Sequence, residues 1–221
     1  MKNFPITNKD GKVYWISRSV AIVAAVFKTI DNTTYVLANQ RGKGAPDYNF
    51  KWNITCGYID FDESGEEACA RELLEETGVI VNNPNNFIHV MTKTVPTETR
   101  QNIVLRYVLK PDSSIIEPEI FNPKTLVGGE KDEVNDIKWI PLNDVNKYEW
   151  AFGHETIIFE MYEEYKKLEY IDSICEQIGK NAIPYNQVSG LKSYTWLTEE
   201  TVETLISKAI NELKINTSNN E

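Results

Sequence analysis

The chain has 221 residues, 41% hydrophobic and 25% charged, which suits a packed globular core and argues against wholesale disorder. Thirty-three acidic residues against 23 Lys and Arg give a net charge of −10, so a broad nucleic-acid or anionic-membrane surface is disfavoured, because either needs clustered cations. Phosphorylated substrates stay open, since a bound divalent cation reverses the local field.

Cys56, Cys69 and Cys175 stand in no metal-like or redox-like spacing, which predicts a reducing compartment. Met1 to Pro5 leads into polar sequence without an apolar signal core. The longest strongly apolar run, Val20 to Phe27, has a strand's length and falls far short of a membrane span. The expectation is a soluble cytoplasmic protein with no membrane partner.

In chain order, Asn8-Lys9-Asp10-Gly11 reads as a turn, Asp-Gly being a strong hairpin signal, and Val13 to Ile16 as a strand after it. Val20 to Thr29 reads as one buried strand, turned by Asp31-Asn32 into a second at Thr34 to Asn39. Gln40 to Phe50 is a loop, and Lys51 to Ile59 is extended. The period then changes. Ser64 and Glu67 fit a capping box, Ala68, Leu73 and Leu74 form a narrow apolar stripe, and Thr77-Gly78 closes the helix. Phe87 to Val95 and Ile103 to Leu109 are strands. Pro111 to Lys131, a connection with three prolines, is long enough to suggest a functional loop. Ile137 to Ile140 is a strand, Glu155 to Lys167 a helix, and Val202 to Leu213 a helical apolar stripe capped by Thr198. This pattern predicts an α/β layered domain followed by a small helical extension.

The chemistry lies in GYIDFDESGEEACARELLEETGV, residues 57 to 79. Glu72, Glu75 and Glu76 are spaced three and four apart and so share a helical face. Like charges at that spacing cost roughly 0.2–0.5 kcal/mol per pair, so a fold that keeps them needs compensating positive charge. Arg71 lies one turn from Glu67 and Glu75 and reaches only part of the cluster. Hard divalent cations are the natural remaining partner, and carboxylates with water suit Mg²⁺ or Mn²⁺. Taken as three glutamates alone, a solvated acidic face is the commoner explanation.

The spacing goes further. Gly57, Glu63, Arg71-Glu72-Leu73, Glu75-Glu76 and Gly78-Val79 match the Nudix box, and the chain resembles a Nudix hydrolase. Seven of these, all but the apolar Leu73 and Val79, are fixed identities at set spacings, which arise at a given start by chance roughly once in 10⁸. Trp52, Glu133-Val134, Lys138 to Pro141, Phe152-Gly153-His154 and Ile157-Ile158 extend the likeness over about residues 18 to 167. Thr55 and Cys56 depart from it, standing where many members have Pro-Gly.

The resemblance implies a Nudix-type α/β/α sandwich with a mixed sheet over residues 18–167. An N-terminal hairpin extension precedes it at 1–17, and a helical C-terminal extension follows at 168–221. It implies a Mg²⁺- or Mn²⁺-dependent hydrolase that cleaves the diphosphate bond of a nucleoside diphosphate linked to another group. Glu72, Glu75, Glu76 and the Gly57 carbonyl are then the metal ligands. Glu75 and Glu76 are catalytic, joined by a glutamate outside the box, Glu133 or Glu130. Glu63 and Arg71 support them structurally. Arg41 and Lys43 are candidates for phosphate contact, and Trp52 and Tyr58 for base contact. His89 and His154 read as structural.

Some Nudix-like proteins are ligand-sensing transcription regulators with a C-terminal DNA-binding region, which supplies the alternative. Residues 168 to 221 carry eight acids, four lysines and no arginine, a poor composition for a DNA-reading helix. The expected partner is a small-molecule nucleotide and no nucleic acid. The last apolar stripe must bury against protein, which leaves room for a homodimer.

Overall fold

The computed structural model describes residues 4–7, 9–11, 13–16, 19–96, 101–111, 113–129, 131–181, 183–184 and 195–196. The predicted C-terminal stripe from Val202 to Leu213, with Thr198, lies outside the described residues, as does Glu130.

β1 (Phe4–Thr7) and β2 (Val13–Ile16) form an antiparallel hairpin with Gly11 at φ 78° in its turn. The apolar run that follows is two strands, not one. β3 (Val20–Ala25) belongs to one sheet and β4 (Phe27–Ile30) to another, with Val26 as the crossing point. Its residues are buried on both faces from Ile22 to Phe27, so no alternation or turn residue marks the switch. Asp31 and Asn32 adopt φ of 48° and 62°, the geometry of a two-residue I′ turn, and lead into β5 (Thr33–Arg41). The extended segment after the next loop divides in the same way. β6 (Trp52–Asn53) pairs with β5 and β7 (Cys56–Tyr58) with β3.

One sheet has the order β7-β3-β10-β9, with β9 (Phe87–Pro96) and β10 (Gln101–Leu109). β10 runs parallel to β3 and the other pairs are antiparallel, so the sheet is mixed. The second sheet, β12-β5-β4 with β6 at β5, is antiparallel, and β12 spans Val134–Pro141. A short pair, β8 (Ile80–Val81) with β11 (Ile115–Ile116), was not visible in the sequence pattern.

Two helices cover the sheets. α1 (Gly65–Thr77) buries Ala68, Cys69 and Leu73 in a core with Ile22, Ala24, Leu37, Tyr107 and Ile137. On the other side α2 begins at His154; its Tyr162 and Tyr165 rings lie 5.4 and 5.1 Å from that of Phe27. The α/β class, the mixed sheet and the helical layers agree with expectation. α2 continues to Asn181 instead of stopping at Lys167. Lys166-Lys167 resembles a basic last turn, yet the helix runs on past it.

The chain divides into two compact units, Met1–Tyr165 and Lys166–Glu221. The second holds the later part of α2 and the two-residue pair β13 (Ile183–Pro184) and β14 (Thr195–Trp196). Among the described residues, no helix is long and apolar enough to cross a membrane.

Candidate active site

α1 is fixed at both ends by the signals its sequence carries. The Ser64 hydroxyl accepts from the Glu67 N–H at 3.2 Å, and the Glu67 carboxylate accepts from the Ser64 N–H at 2.8 Å. Gly78 closes the helix at φ 75° and donates to the Leu74 carbonyl at 2.9 Å. Leu74, expected in the apolar stripe, is instead 40% exposed, and Cys69 takes its place, four residues before Leu73. Glu76 falls seven residues after Cys69, hence on the same inward face, and is 5% exposed.

Arg71 binds the site together. Its Nε and Nη2 donate to the two Glu63 carboxylate oxygens at 2.8 and 2.9 Å, the paired geometry a guanidinium favours. Nη2 also donates to the Tyr58 carbonyl at 2.9 Å. Nη1 donates to Glu72 at 2.8 Å and to Glu75 at 3.2 Å. Arg71 therefore reaches further than its sequence position suggests, joining the loop before α1 to two box carboxylates.

Arg71 does not neutralise the cluster. Burial pushes the Glu72 carboxyl up to about 7 against the pull of Arg71, with Glu75 and Glu133 adding repulsion. Glu76 is driven well above the carboxylate range, first by burial and then by Glu72 and Glu133. Its carboxylate accepts from the Cys56 N–H at 3.2 Å. Glu133, just before β12, thus shares its surroundings with the box.

Glycine lets the surrounding backbone close in. A Cβ on Gly57 would stand 2.0 Å from Glu72 Oε1. One on Gly128, at φ 102°, would stand 2.9 Å from Glu75 Oε1. The long connection, expected from its length to be a functional loop, therefore comes against α1 at Gly128-Gly129, a signal that sequence reasoning passed over. Gly42 donates its N–H to the Glu133 carbonyl at 2.5 Å, and Gly44 donates to the Asp132 carbonyl at 2.9 Å, tying the loop after β5 to the segment bearing Glu133. A cleft of about 590 Å³ opens here, lined by Glu75 and Glu133, by Lys43 and Phe50, by Asn122 and Lys124, and by Lys131.

The donor set of Glu72, Glu75, Glu76 and Glu133 is oxygen-only, the chemistry a hard divalent cation prefers. Bringing in positive charge would relieve the repulsion that raises Glu72 and Glu76. Among the described residues, however, no three His, Cys, Asp or Glu groups form a ready-made cage. Arg71 holds Glu72 and Glu75 in its place, so cation binding requires these side chains to shift.

Other candidates fall elsewhere. Arg41 is not a loop cation but the last residue of β5. It is 6% exposed, bonded to the Asp47 carbonyl and side chain at 2.9 and 3.1 Å, with its guanidinium 5.1 Å from the Phe152 ring. Burial and these partners engage its guanidinium, whose charge still reaches Glu76 and pulls that carboxyl down against burial. Trp52 is 5% exposed, packs edge-on to Tyr148 and has the Lys138 amine over its ring. No open face remains for a base. Tyr58 is half exposed on β7, and its hydroxyl accepts from Asn102 at 3.2 Å. Phe50, 57% exposed, is the aromatic that lines the cleft, and its place in a glycine-containing loop hid it. His154 is buried, and its Nδ1 accepts the Ile54 N–H at 3.1 Å. His89 is exposed on β9 beside Thr92.

A family model for the NUDIX domain matches residues 18–161. No curated protein matches the chain at a comparable level. Among solved structures, the NUDIX domain of Shewanella oneidensis NrtR, complexed with ADP ribose, superposes with a TM-score of 0.52 at 23% identity, covering 67% of this chain and 89% of that one. A MutT/nudix family protein from Enterococcus faecalis gives 0.51 at 18% identity, covering 68% of this chain and 63% of that one. At such identities the two structures speak for the fold alone. With the box intact on α1 and the family match spanning the domain that carries it, the chain belongs to the NUDIX domain family.

Proposed function

We propose that this chain is a Mg²⁺- or Mn²⁺-dependent hydrolase that cleaves the diphosphate bond of a nucleoside diphosphate linked to another group. The observation that carries this reading is the packing of the box glutamates: Arg71 bridges Glu72 and Glu75, while burial first, and then neighbouring carboxylates including Glu133, push Glu72 and Glu76 upward. Glu72, Glu75 and Glu76, with the Gly57 carbonyl, would hold the cation, which supplies charge neutralisation for the diphosphate and a more acidic water. Arg71 and Glu63 keep the loop and helix in register. The water oxygen forms a new P–O bond as the bridging P–O bond breaks, its electron pair leaving on the departing oxygen. One of Glu75, Glu76 and Glu133 accepts the water's proton. Location in the cytoplasm belongs to the same proposal and accords with the free thiols Cys56 and Cys69.

The test is a nucleotide panel with Mg²⁺ or Mn²⁺, coupling phosphate release to a phosphatase. Turnover is expected and should vanish with chelator. Full turnover in excess EDTA would overturn the metal requirement. Sequence-specific duplex DNA binding at physiological salt, without turnover of any compound, would favour a regulator instead.

A further inference from the structure

Around the C-terminal end of α1 the fold leaves a group of aliphatic side chains uncovered. β8 and β11 form a ribbon in which Ile80 stands opposite Ile116, so the two project from the same face. Their neighbours Val81 and Ile115 pack on the core. Both faces of the ribbon are thus apolar, the pattern of strands covered on both sides, yet Ile80 and Ile116 are 40% and 50% exposed. Leu74, equally open, lies one turn before Gly78 and accepts its N–H. A Cβ on Gly78 would meet Leu126 Cδ2 at 3.5 Å and Pro118 Cγ at 3.7 Å, so the long connection closes on this helix end from two sides. Val127 follows Leu126 and Ile120 comes two residues after Pro118, and they are 76% and 78% exposed.

A whole Leu, Ile or Val side chain carries on the order of 100 Å² of apolar surface, so these five leave roughly 300 Å² open, within the range of patches that mark contact sites. A stable two-fold contact takes about 800 Å² from each partner, apolar at its centre and polar at its rim. The patch has the size and character of such a centre, and Glu119 and Lys124, exposed on the same connection, give the rim one charge of each sign. Two copies of a chain with net charge −10 repel each other, so they meet closely only where charge is sparse. Glu117, next to Ile116, is already engaged by Lys28 and by the Trp139 indole N–H, at 2.8 Å each. The five side chains offer no hydrogen bond that would select a partner of different chemistry, and a two-fold contact needs only that a patch suit itself. A lipid surface would call for a cluster of Lys and Arg beside the patch, where this connection has one lysine, Lys124, before Val127. We infer that the face formed by Leu74, Ile80, Ile116, Ile120 and Val127 is the contact surface of a homodimer, meeting the same face of a second copy across a two-fold axis.

The test is the mass of the full chain in solution, measured by sedimentation from about 1 to about 100 μM, the weak end of the range for contacts of this size. A two-chain species is expected. Ile116→Glu and Val127→Asp alter exposed side chains, so their circular dichroism and Tm should stay close to those of the unaltered protein. Each should weaken the dimer by about 30-fold or more, because the contact would bury an unpaired carboxylate. Ile30→Glu, at a comparably exposed position at the end of β4 and outside this face, should leave the dissociation constant unchanged. A single-chain mass throughout, a dimer indifferent to both Ile116→Glu and Val127→Asp, or one weakened as much by Ile30→Glu would each overturn the inference. No turnover enters the measurement, so its outcome is independent of the hydrolase reading.

Discussion

Glu76 is the residue whose position most directly links fold to chemistry. It occupies an inward position of α1 that would ordinarily hold an apolar side chain, and it is met by the Cys56 N–H. A carboxylate there costs folding energy, because burial and the neighbouring glutamates oppose its charge. Glu76→Gln keeps an acceptor for Cys56 and removes the charge. With chelator present its Tm should be unchanged or higher, while kcat should fall by about 10²-fold with Mg²⁺. A variant that loses both Tm and kcat would make Glu76 a fold residue only. His154 behaves in the opposite sense. Burial, then Arg106 and Arg41, hold its imidazole down to about 3, and Nδ1 must stay unprotonated to accept from Ile54. Its folded pKa lies below the ordinary value of about 6.5, so between the two the unfolded chain binds the extra proton. The stability from neutral His154 is full above about pH 6.5 and drains away as pH falls toward 3. A melting series from pH 7.5 to 4.5 should show this decline, and His154→Gln, whose amide oxygen can still accept, should flatten it. An identical slope in the variant would assign the acid sensitivity to other groups.

At the scale of elements, α1 was legible because each of its signals is local: a capping box, a closing glycine and charges at fixed spacing. The hairpins at Asp10-Gly11 and Asp31-Asn32 were legible for the same reason. The sheet switch at Val26 was not, because a run buried on both faces loses the alternation that marks a boundary, and β6 and β7 are too short, at two and three residues, to show any period. The inward turn of Arg41 and Trp52 was hidden too, since nothing in Gln40 to Phe50 announces that Asp47 and Phe152 will surround the arginine. The same loop positions Glu133. A Cβ on Gly44 would stand 2.2 Å from the Lys131 carbonyl oxygen, a main-chain atom that cannot rotate away. Gly44→Ala should therefore lower Tm by several degrees and reduce kcat through displacement of the 131–133 segment. If Gly44 acts through Glu133, Gly44→Ala combined with Glu133→Gln should lose no more kcat than Glu133→Gln alone, because one site is then damaged twice. Simple multiplication of the two losses would mean the glycine supports something else.

For the molecule as a whole, the proposed hydrolase reading assigns the choice of bond to the box and the choice of what is attached to that bond to the loops around it. On that reading the box is legible in 23 consecutive residues, whereas the cleft lining is not, because Lys43, Lys124 and Lys131, 81 and 7 positions apart, come to line one cleft only in the fold. The C-terminal stretch poses the converse case, with a periodic pattern and no chemistry. Val202, Leu205, Ile206, Ala209, Ile210 and Leu213 recur at helical spacing, and such a stripe is stable in water only when another apolar surface covers it. That surface belongs either to this chain or to a second copy, and acids outnumber lysines eight to four across residues 168 to 221, which disfavours DNA as the cover. Deleting residues 198 to 221 should uncover the complementary surface. If the cover is internal, Tm should drop and a dye for exposed apolar surface should bind. If it is a second copy, the mass in solution should halve. Either way, metal-dependent turnover should persist in the folded remainder, since none of the box glutamates lies in the deleted segment. A truncated protein with unchanged Tm, unchanged mass and no dye binding would show that the stripe covers nothing, and loss of sequence-specific DNA binding on deletion would return the molecule to the regulator class.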